Sequence, residues 1–167
     1  EILTMLGRKG AWVVHGSAGN AGGMDELSTL GGNHVVRLTP AGVVEESMLS
    51  EATRAVLMDK FAFCIPPHEQ MLGYPVAGPH GEVHAGKRRY NFVWYRPADT
   101  QSELPRLMTG IDGKVYLDGI APHLLDPKII AEMRADAARL LTKEFAEITT
   151  ATPQPLIQPI FDLTSPR

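Results

Sequence analysis

What this sequence lacks narrows its class before any motif is read. A single cysteine, Cys64, among 167 residues leaves no partner for an internal disulfide. It also leaves no cysteine set for a zinc site, and it suits a reducing compartment. No apolar run approaches the roughly 18 residues that a membrane-spanning helix needs, and no leader-like segment opens the chain. Neither sign of charge dominates: 16 basic residues face 19 acidic ones, a net of −3 without blocks. Such a chain has no electrostatic footprint for DNA, RNA or an anionic membrane. Its 16 glycines and 13 prolines are too scattered for low complexity. What is there, 44% hydrophobic residues, suffices for one buried core. The expectation is a soluble, cytoplasmic, globular protein. The chain begins at Glu1 rather than Met and ends at Ser165-Pro166-Arg167, and so reads as a piece of something longer.

The hydrophobic pattern predicts an α+β fold. Ala11-Trp12-Val13-Val14-His15, bounded by Gly10 and Gly16, reads as a buried strand, followed by a small-residue loop over 17–23. A second candidate strand over 34–38 closes at Thr39-Pro40. Residues 50–60 turn helical, with Ser50 as N-cap and Glu51 in the first turn. Phe61-Ala62-Phe63-Cys64-Ile65 is a strand stopped by Pro66-Pro67, because proline cannot donate to a ladder. Residues 71–76 are extended and 79–86 form a turn or hairpin loop. Residues 90–96 make the best strand, with Tyr90, Phe92 and Trp94 on one face and Asn91, Val93 and Tyr95 on the other. Asp126 caps the clearest helix, Pro127 takes its first position, and Ile129, Ile130, Met133, Ala137, Leu140 and Leu141 form its apolar stripe. A further turn around Phe145 and Ile148 extends it. Residues 156–161 are extended again, and the proline inside them argues for an edge or a bulge. The predicted architecture is an antiparallel, mixed-aromatic sheet covered by one long helix.

Several signals resemble chemistry. Gly81-Glu82-Val83-His84-Ala85-Gly86-Lys87 matches most of a phosphate-binding loop. Arg88 replaces the magnesium-holding Ser or Thr, however, and a strand follows where a helix N-terminus should begin. A hairpin loop with a basic edge explains it. His80 and His84 are four apart but lie among Pro79, Gly81 and Gly86, so helical ligand spacing is not available and solvated loop histidines are the plainer reading. Cys64 on an apolar strand reads as a small buried hydrophobe. The aromatics of 90–95 are either core, or one sheet face lines a pocket for a flat ring that Asn91, Trp94 or Tyr95 touches. Asp25-Glu26 can supply oxygen ligands to Mg²⁺, or can be the acidic first turn of a helix beside Ser28 and Thr29.

Two stretches resemble known families. Residues 41–167 resemble the substrate domain of FAD-dependent aromatic-ring monooxygenases, nearest the 2,6-dihydroxypyridine 3-monooxygenase-like branch. The resemblance rests on Val43-Val44-Glu45-Glu46, on Pro66-Pro67-His68-Glu69-Gln70-Met71-Leu72-Gly73-Tyr74-Pro75-Val76 and on Arg89-Tyr90-Asn91-Phe92-Val93-Trp94-Tyr95-Arg96-Pro97. Ala151-Thr152-Pro153-Gln154-Pro155 continues it to the end of the chain. It implies a parent enzyme that uses FAD, NAD(P)H and O₂ to hydroxylate a small aromatic or N-heteroaromatic substrate. It also implies a partner, the flavin domain of the parent chain, because no G-x-G-x-x-G occurs here and the middle-region Asp-Gly motif is missing. The strand whose Gly-Asp meets the flavin would follow Arg167. Gln70, Tyr74, Asn91 and Trp94 are the expected ring-facing residues. No residue is assigned a catalytic role, and the piece is expected to be inactive alone.

Residues 6–44 instead resemble the late region of anthranilate phosphoribosyltransferase, through Val13-Val14-His15-Gly16 and Gly23-Met24-Asp25-Glu26-Leu27-Ser28. In that reading Asp25 and Glu26 hold Mg²⁺, although the loop between the two motifs is longer than that family's and its phosphoribosyl pyrophosphate loop is absent. Two resemblances joined near residues 40–46 fit a fragment, an artificial join or a truncated fusion, the first two preferred. The division is then 1–40 and 41–167. A non-enzymatic folded module is the third reading. Cut from a parent, such a module exposes sheet edges and an apolar face, which favours self-association.

Overall fold

The computed structural model of the protein describes residues 2–6, 11–15, 37–117 and 119–160. The expected loop over 17–23, the acidic pair Asp25-Glu26 and the first part of the expected strand over 34–38 lie outside these. Strands β1 (Ile2–Leu6) and β2 (Ala11–His15) pair antiparallel as a separate ribbon, and β2 runs beside β4. The main sheet joins β3 (Arg37–Glu45), β4 (Ala62–Cys64), β5 (Gln70–Val76), β6 (Arg89–Pro97) and β7 (Leu156–Ile160). Its five strands run in the order β4-β5-β6-β3-β7, and all neighbours are antiparallel. Helices α1 (Glu51–Leu57), α2 (Glu103–Leu107), α3 (Pro127–Leu140) and α4 (Lys143–Ala151), with short 3₁₀ turns at Glu46–Met48 and Pro122–Leu124, complete the described elements.

Strand alternation decides what the sheet buries. Successive β6 side chains point to opposite faces, so Tyr90, Phe92 and Trp94 share one face, and all three are fully buried. Register adds Met71 and Gly73 of β5, Ala62 and Cys64 of β4 and Val44 of β3 to that face. Against it pack Met133 and Ala137 of α3, Leu141, and Phe145 and Ile148 of α4. Each large ring or aliphatic chain so buried contributes about 1.5–3 kcal/mol. Gly73 is needed where it stands: a Cβ there would lie 2.4 Å from Cε1 of Tyr90. A second cluster, Leu104, Leu107, Met108, Ile120, Leu125, Ile129 and Ile157, ties α2 and the start of α3 to β7.

Two expectations are corrected. The covering helix is not one long helix but two. Asp126 accepts from Lys128 N–H at 2.8 Å and Pro127 opens α3 as the sequence suggests. The chain then becomes extended at Leu141 (ψ 167°) and Thr142 (ψ 160°) before α4. The break re-aims the backbone, so Phe145 and Ile148 reach the core that already holds Ala137. Likewise, no strand closes at Thr39-Pro40. β3 runs through both residues to Glu45, with Pro40 opposite Ile157 of β7. The β3–β6 register skips Thr39 and Pro40, so the missing proline N–H falls where that ladder is interrupted. β7, with Pro159 inside it, is one of the two edge strands of this sheet.

Two carboxylates fasten the elements around the sheet. Glu147 of α4 accepts from Ser50 N–H, from Ser50 Oγ at 2.8 Å and from Thr53 Oγ1 at 2.5 Å, and so caps α1 from a neighbouring helix. Glu46 accepts from Arg88 Nε and Nη2, both at 3.2 Å, and from Gly86 N–H at 2.8 Å, closing the base of the 77–88 loop. Burial alone would raise both carboxyls. The hydrogen bonds from Arg88 and Gly86 to Glu46, and from Thr53 and Ser50 to Glu147, hold them below the ordinary 4.5.

Two predictions follow from this packing. The Tyr90 hydroxyl is buried without a partner, and burial pushes its phenol strongly upward. Tyr90→Phe should therefore leave the fold intact and raise its unfolding free energy by about 1 kcal/mol in a urea titration. For Glu46 and Glu147, the folded carboxyls hold their protons less tightly than the unfolded ones. Their stabilisation is complete above the ordinary 4.5 and is lost as pH falls through the lowered folded values. Urea midpoints measured downward from pH 6 should stay level to about pH 5 and then fall, and Glu147→Gln should flatten that fall.

Candidate functional site

The face of the sheet opposite the helices carries three of the four residues expected to face a ring. Antiparallel partners project to the same side, so Gln70 pairs with Tyr95, Leu72 with Val93 and Tyr74 with Asn91 across β5 and β6. Phe63 of β4 pairs with Leu72 and extends the set. Leu72, Tyr74, Asn91, Val93 and Tyr95 are half-buried and Val43 of β3 is exposed, so this face is far less covered than the helix side. Just before β4, the ring of Phe61 stacks on Tyr74 with centroids 5.2 Å apart and planes 5° from parallel. Phe63 meets Phe61 at 5.1 Å and 53°. The result is a platform of aromatic rings with one half-buried amide side chain, Asn91, and a second, Gln70, buried at the far end of β5. Such a surface can stack a flat ring and hydrogen-bond its edge.

Of the four residues expected to face a ring, the structure sets Tyr74 directly opposite Asn91, places Gln70 on the same face but buried and four residues along β5, and leaves Trp94 out. Trp94 lies on the helix side, fully buried, because its register partner is Met71 and its parity is that of Tyr90 and Phe92. Its indole N–H donates to Glu69 Oε2 at 2.8 Å. Arg96 lies over the same ring, Cζ 4.4 Å from the centroid, and donates from Nε to Glu69 Oε1 at 3.2 Å. Arg96 Nη2 then reaches Asp136 Oδ2 at 2.7 Å, and Arg139 donates to Asp136 Oδ1 at 2.8 Å. Burial would raise Asp136, but the two arginines hold it below the usual carboxylate range. This chain of contacts links β5, β6 and α3 directly beneath Gln70.

The turn before β5 is equally defined. Glu69 N–H donates to Pro66 C=O at 3.1 Å, closing a turn in which Pro67 precedes His68 at φ 64°. A proline followed by a residue with positive φ is the pattern of a type II turn, where glycine is the usual choice and histidine is strained. Sequence reading missed Glu69, Phe61 and Phe63. The aromatic pair was visible as an every-other-residue pattern beside Ile65, but Glu69 acts through residues 25 and 27 positions away.

The remaining signals fall away on geometry. Residues 81–87 lead into β6 rather than a helix, with Gly81 and Gly86 at φ 88° and 84°. Burial pushes the Cys64 thiol up to about 11, which leaves it unreactive. Among the described residues no cluster of three or more His, Cys, Asp or Glu could hold a metal; Asp25 and Glu26 lie outside them. None of the described helices is long and apolar enough to cross a membrane. On the helix side a cleft of about 40 Å³ lies beside Arg96, Arg106 and Glu132 and a more open one of about 360 Å³ beside Thr109, Asp126 and Lys128; neither is lined by the residues expected to face a ring.

An antiparallel sheet with helices on one face and an open aromatic face on the other defines a two-layer α+β unit. Residues 36–162 match the family described as FAD binding domain-like, and the chain belongs to it. The fold is similar to that of 2,6-dihydroxypyridine-3-hydroxylase from Arthrobacter nicotinovorans, with a TM-score of 0.72 at 20% identity over 99% of this chain. The chain spans 45% of the length of that structure. No curated protein sequence matches. The resemblance to flavin-dependent aromatic hydroxylases therefore holds for the fold, and the phosphoribosyltransferase reading of residues 6–44 is not favoured.

The described residues do not fit FAD by themselves. Its pyrophosphate needs a glycine-rich turn between a strand and a helix N-terminus. Here all the paired strands are antiparallel; a Cβ at Gly42, Gly73, Gly78 or Gly110 would come within 3.0 Å of the chain's own atoms, and Gly81, Gly86, Gly113 and Gly119 stand open but singly in turns, none at the start of a helix. The first four serve internal packing rather than a cradle.

Glu69 gives this subsection its prediction. Glu69→Ala strands the Trp94 N–H and half of Arg96's pairing, so it should lower stability by about 2–3 kcal/mol in urea unfolding. Trp94 emission should shift to the red as water reaches the indole. Glu69→Gln, which keeps one acceptor, should recover part of both.

Proposed function

We propose that this chain is the ring-facing wall of a flavin-dependent monooxygenase that hydroxylates a small aromatic or N-heteroaromatic substrate of the dihydroxypyridine kind. The observation that carries the reading is Tyr74 standing opposite Asn91 on one sheet face, with Phe61 stacked on Tyr74. In this reading the stacked pair of Tyr74 and Phe61 offers an outer ring face to the substrate, while Asn91, opposite Tyr74, orients it by a hydrogen bond to a substituent. The remainder of the parent enzyme holds FAD, the group that supplies the oxygenation chemistry with NAD(P)H and O₂, and closes over the open face. The chain alone then binds rings weakly and turns nothing over, and its open face is available for self-association.

A titration of the ¹⁵N-labelled chain with 2,6-dihydroxypyridine tests this. Amide shifts at Leu72, Tyr74, Asn91 and Val93, with α3 and α4 silent, support it. Tyr74→Ala should weaken binding about 3–10-fold, the value of one aromatic contact. Shifts confined to the helix side, or none at millimolar ligand, would overturn the ring-wall assignment. Stoichiometric FAD in the purified chain would overturn the division of labour.

A further inference from the structure

We infer that Arg89 is the specificity-determining residue of this wall, its guanidinium taking a carboxylate carried on the edge of the substrate ring, so that the wall selects an acidic ring over a neutral one. The inference rests on the ring-wall reading and deepens it. Arg88 and Arg89 are consecutive where the chain enters β6, and the two-residue period sends them to opposite faces. Arg88 is committed to structure: it donates to Glu46, to Met58 C=O and to Asp59. Arg89 has the parity of Asn91 and lies on the open face, between Val76 of β5 and Glu45 of β3. Its Nε donates to Ala77 C=O at 3.0 Å, on the β5 side and away from Glu45. Among the described residues its two terminal nitrogens have no hydrogen-bond or ion-pair partner.

The register sets this fork beside the proposed ring position. Arg89 is the next residue to Asn91 on the same face, about 7 Å along the strand. It is the diagonal neighbour of Tyr74, at a separation of about 7–8 Å that long and aromatic side chains bridge. Arg89, Asn91 and Tyr74 are all half-buried, and Val43 opposite Asn91 is exposed, so this end of the face is open to a ligand. A ring lying against Tyr74 with one edge at Asn91 brings a substituent on its next edge toward Arg89. The bond to Ala77 fixes the Nε side of the guanidinium and leaves Nη1 and Nη2 as a planar pair of donors, the geometry that a carboxylate matches with two parallel hydrogen bonds. Beside the apolar side chains of the face, such a pair is screened less than in open water.

The test titrates the ¹⁵N-labelled chain with 2,6-dihydroxypyridine-4-carboxylate and with the 4-carboxamide of the same ring, which keeps the shape and lacks the charge. The wild-type chain should bind the acid about 10-fold more tightly than the amide, and the preference should shrink as ionic strength rises. Arg89→Gln should bind the two alike, and Arg89→Lys, a point charge in place of a fork, should keep part of the preference. Both variants should melt within about 2 °C of the wild type, because the side chain is half-exposed and has one bond to lose. Equal binding of acid and amide by the wild type, or a preference that survives in Arg89→Gln, overturns the assignment while leaving the ring wall standing. Unfolding of both variants also overturns it, since Arg89 would then be a structural tie between β6 and the 77–88 loop. If neither ring shifts the Tyr74 and Asn91 amides, the ring-wall reading itself fails, and with it this role for Arg89.

Discussion

Three aromatic rings at alternate positions of β6 bury themselves completely against two helices, and the rest of the structure follows from that contact. With Tyr90, Phe92 and Trp94 committed to the helix side, the strand's two-residue period forces Asn91, Val93 and Tyr95 onto the other. The neighbouring strands inherit the division through their register. One residue of slippage in β6 would exchange its faces, placing Asn91 and Tyr95 in the core. The hydrophobic gain of the buried face therefore holds the composition of the open face in place.

The polar contacts refine this division. Glu69, buried at the start of β5, joins the indole of Trp94 to the guanidinium of Arg96, and through it to Asp136 on α3. Trp94, expected at first to meet a ligand, instead anchors the network behind the residues that remain on the open face. Because Glu69 and Gln70 are consecutive in an extended chain, fixing one on the helix side fixes the other on the open side. Glu147 and Glu46 do comparable work at the ends of the sheet, each gathering donors from segments far apart in sequence.

Much of this was legible in the sequence. The Ser50 and Asp126 caps, the Pro127 start, the split of the 90–96 strand into two faces and the edge position of the Pro159 strand all rest on local chemistry: a side-chain acceptor, a fixed φ, a two-residue period, a missing N–H. The break at Leu141-Thr142 was not legible, because Leu140, Leu141, Phe145 and Ile148 continue a plausible helical spacing. Only the position of the sheet beneath them makes two short helices better than one. The run of β3 through Pro40 was hidden for a similar reason. A proline ends a strand unless its neighbours leave the ladder open at that point, and that depends on register with β6.

The candidate site divides along the same line. Gln70, Tyr74 and Asn91 were singled out as polar or aromatic groups on short strands, a property of the sequence alone. Whether they meet depends on pairing Tyr74 with Asn91 across two strands, and on Phe61 stacking from outside the sheet. By itself the sequence determined which residue types alternate, where helices start and which strand must lie at an edge, because backbone geometry enforces those within a few residues. Only the tertiary structure decided that Trp94 turns inward to Glu69, that the helical cover breaks in two, and that Gln70 is buried with its amide oxygen unpaired. Each depends on side chains brought together from distant parts of the chain, through contacts that no local period encodes.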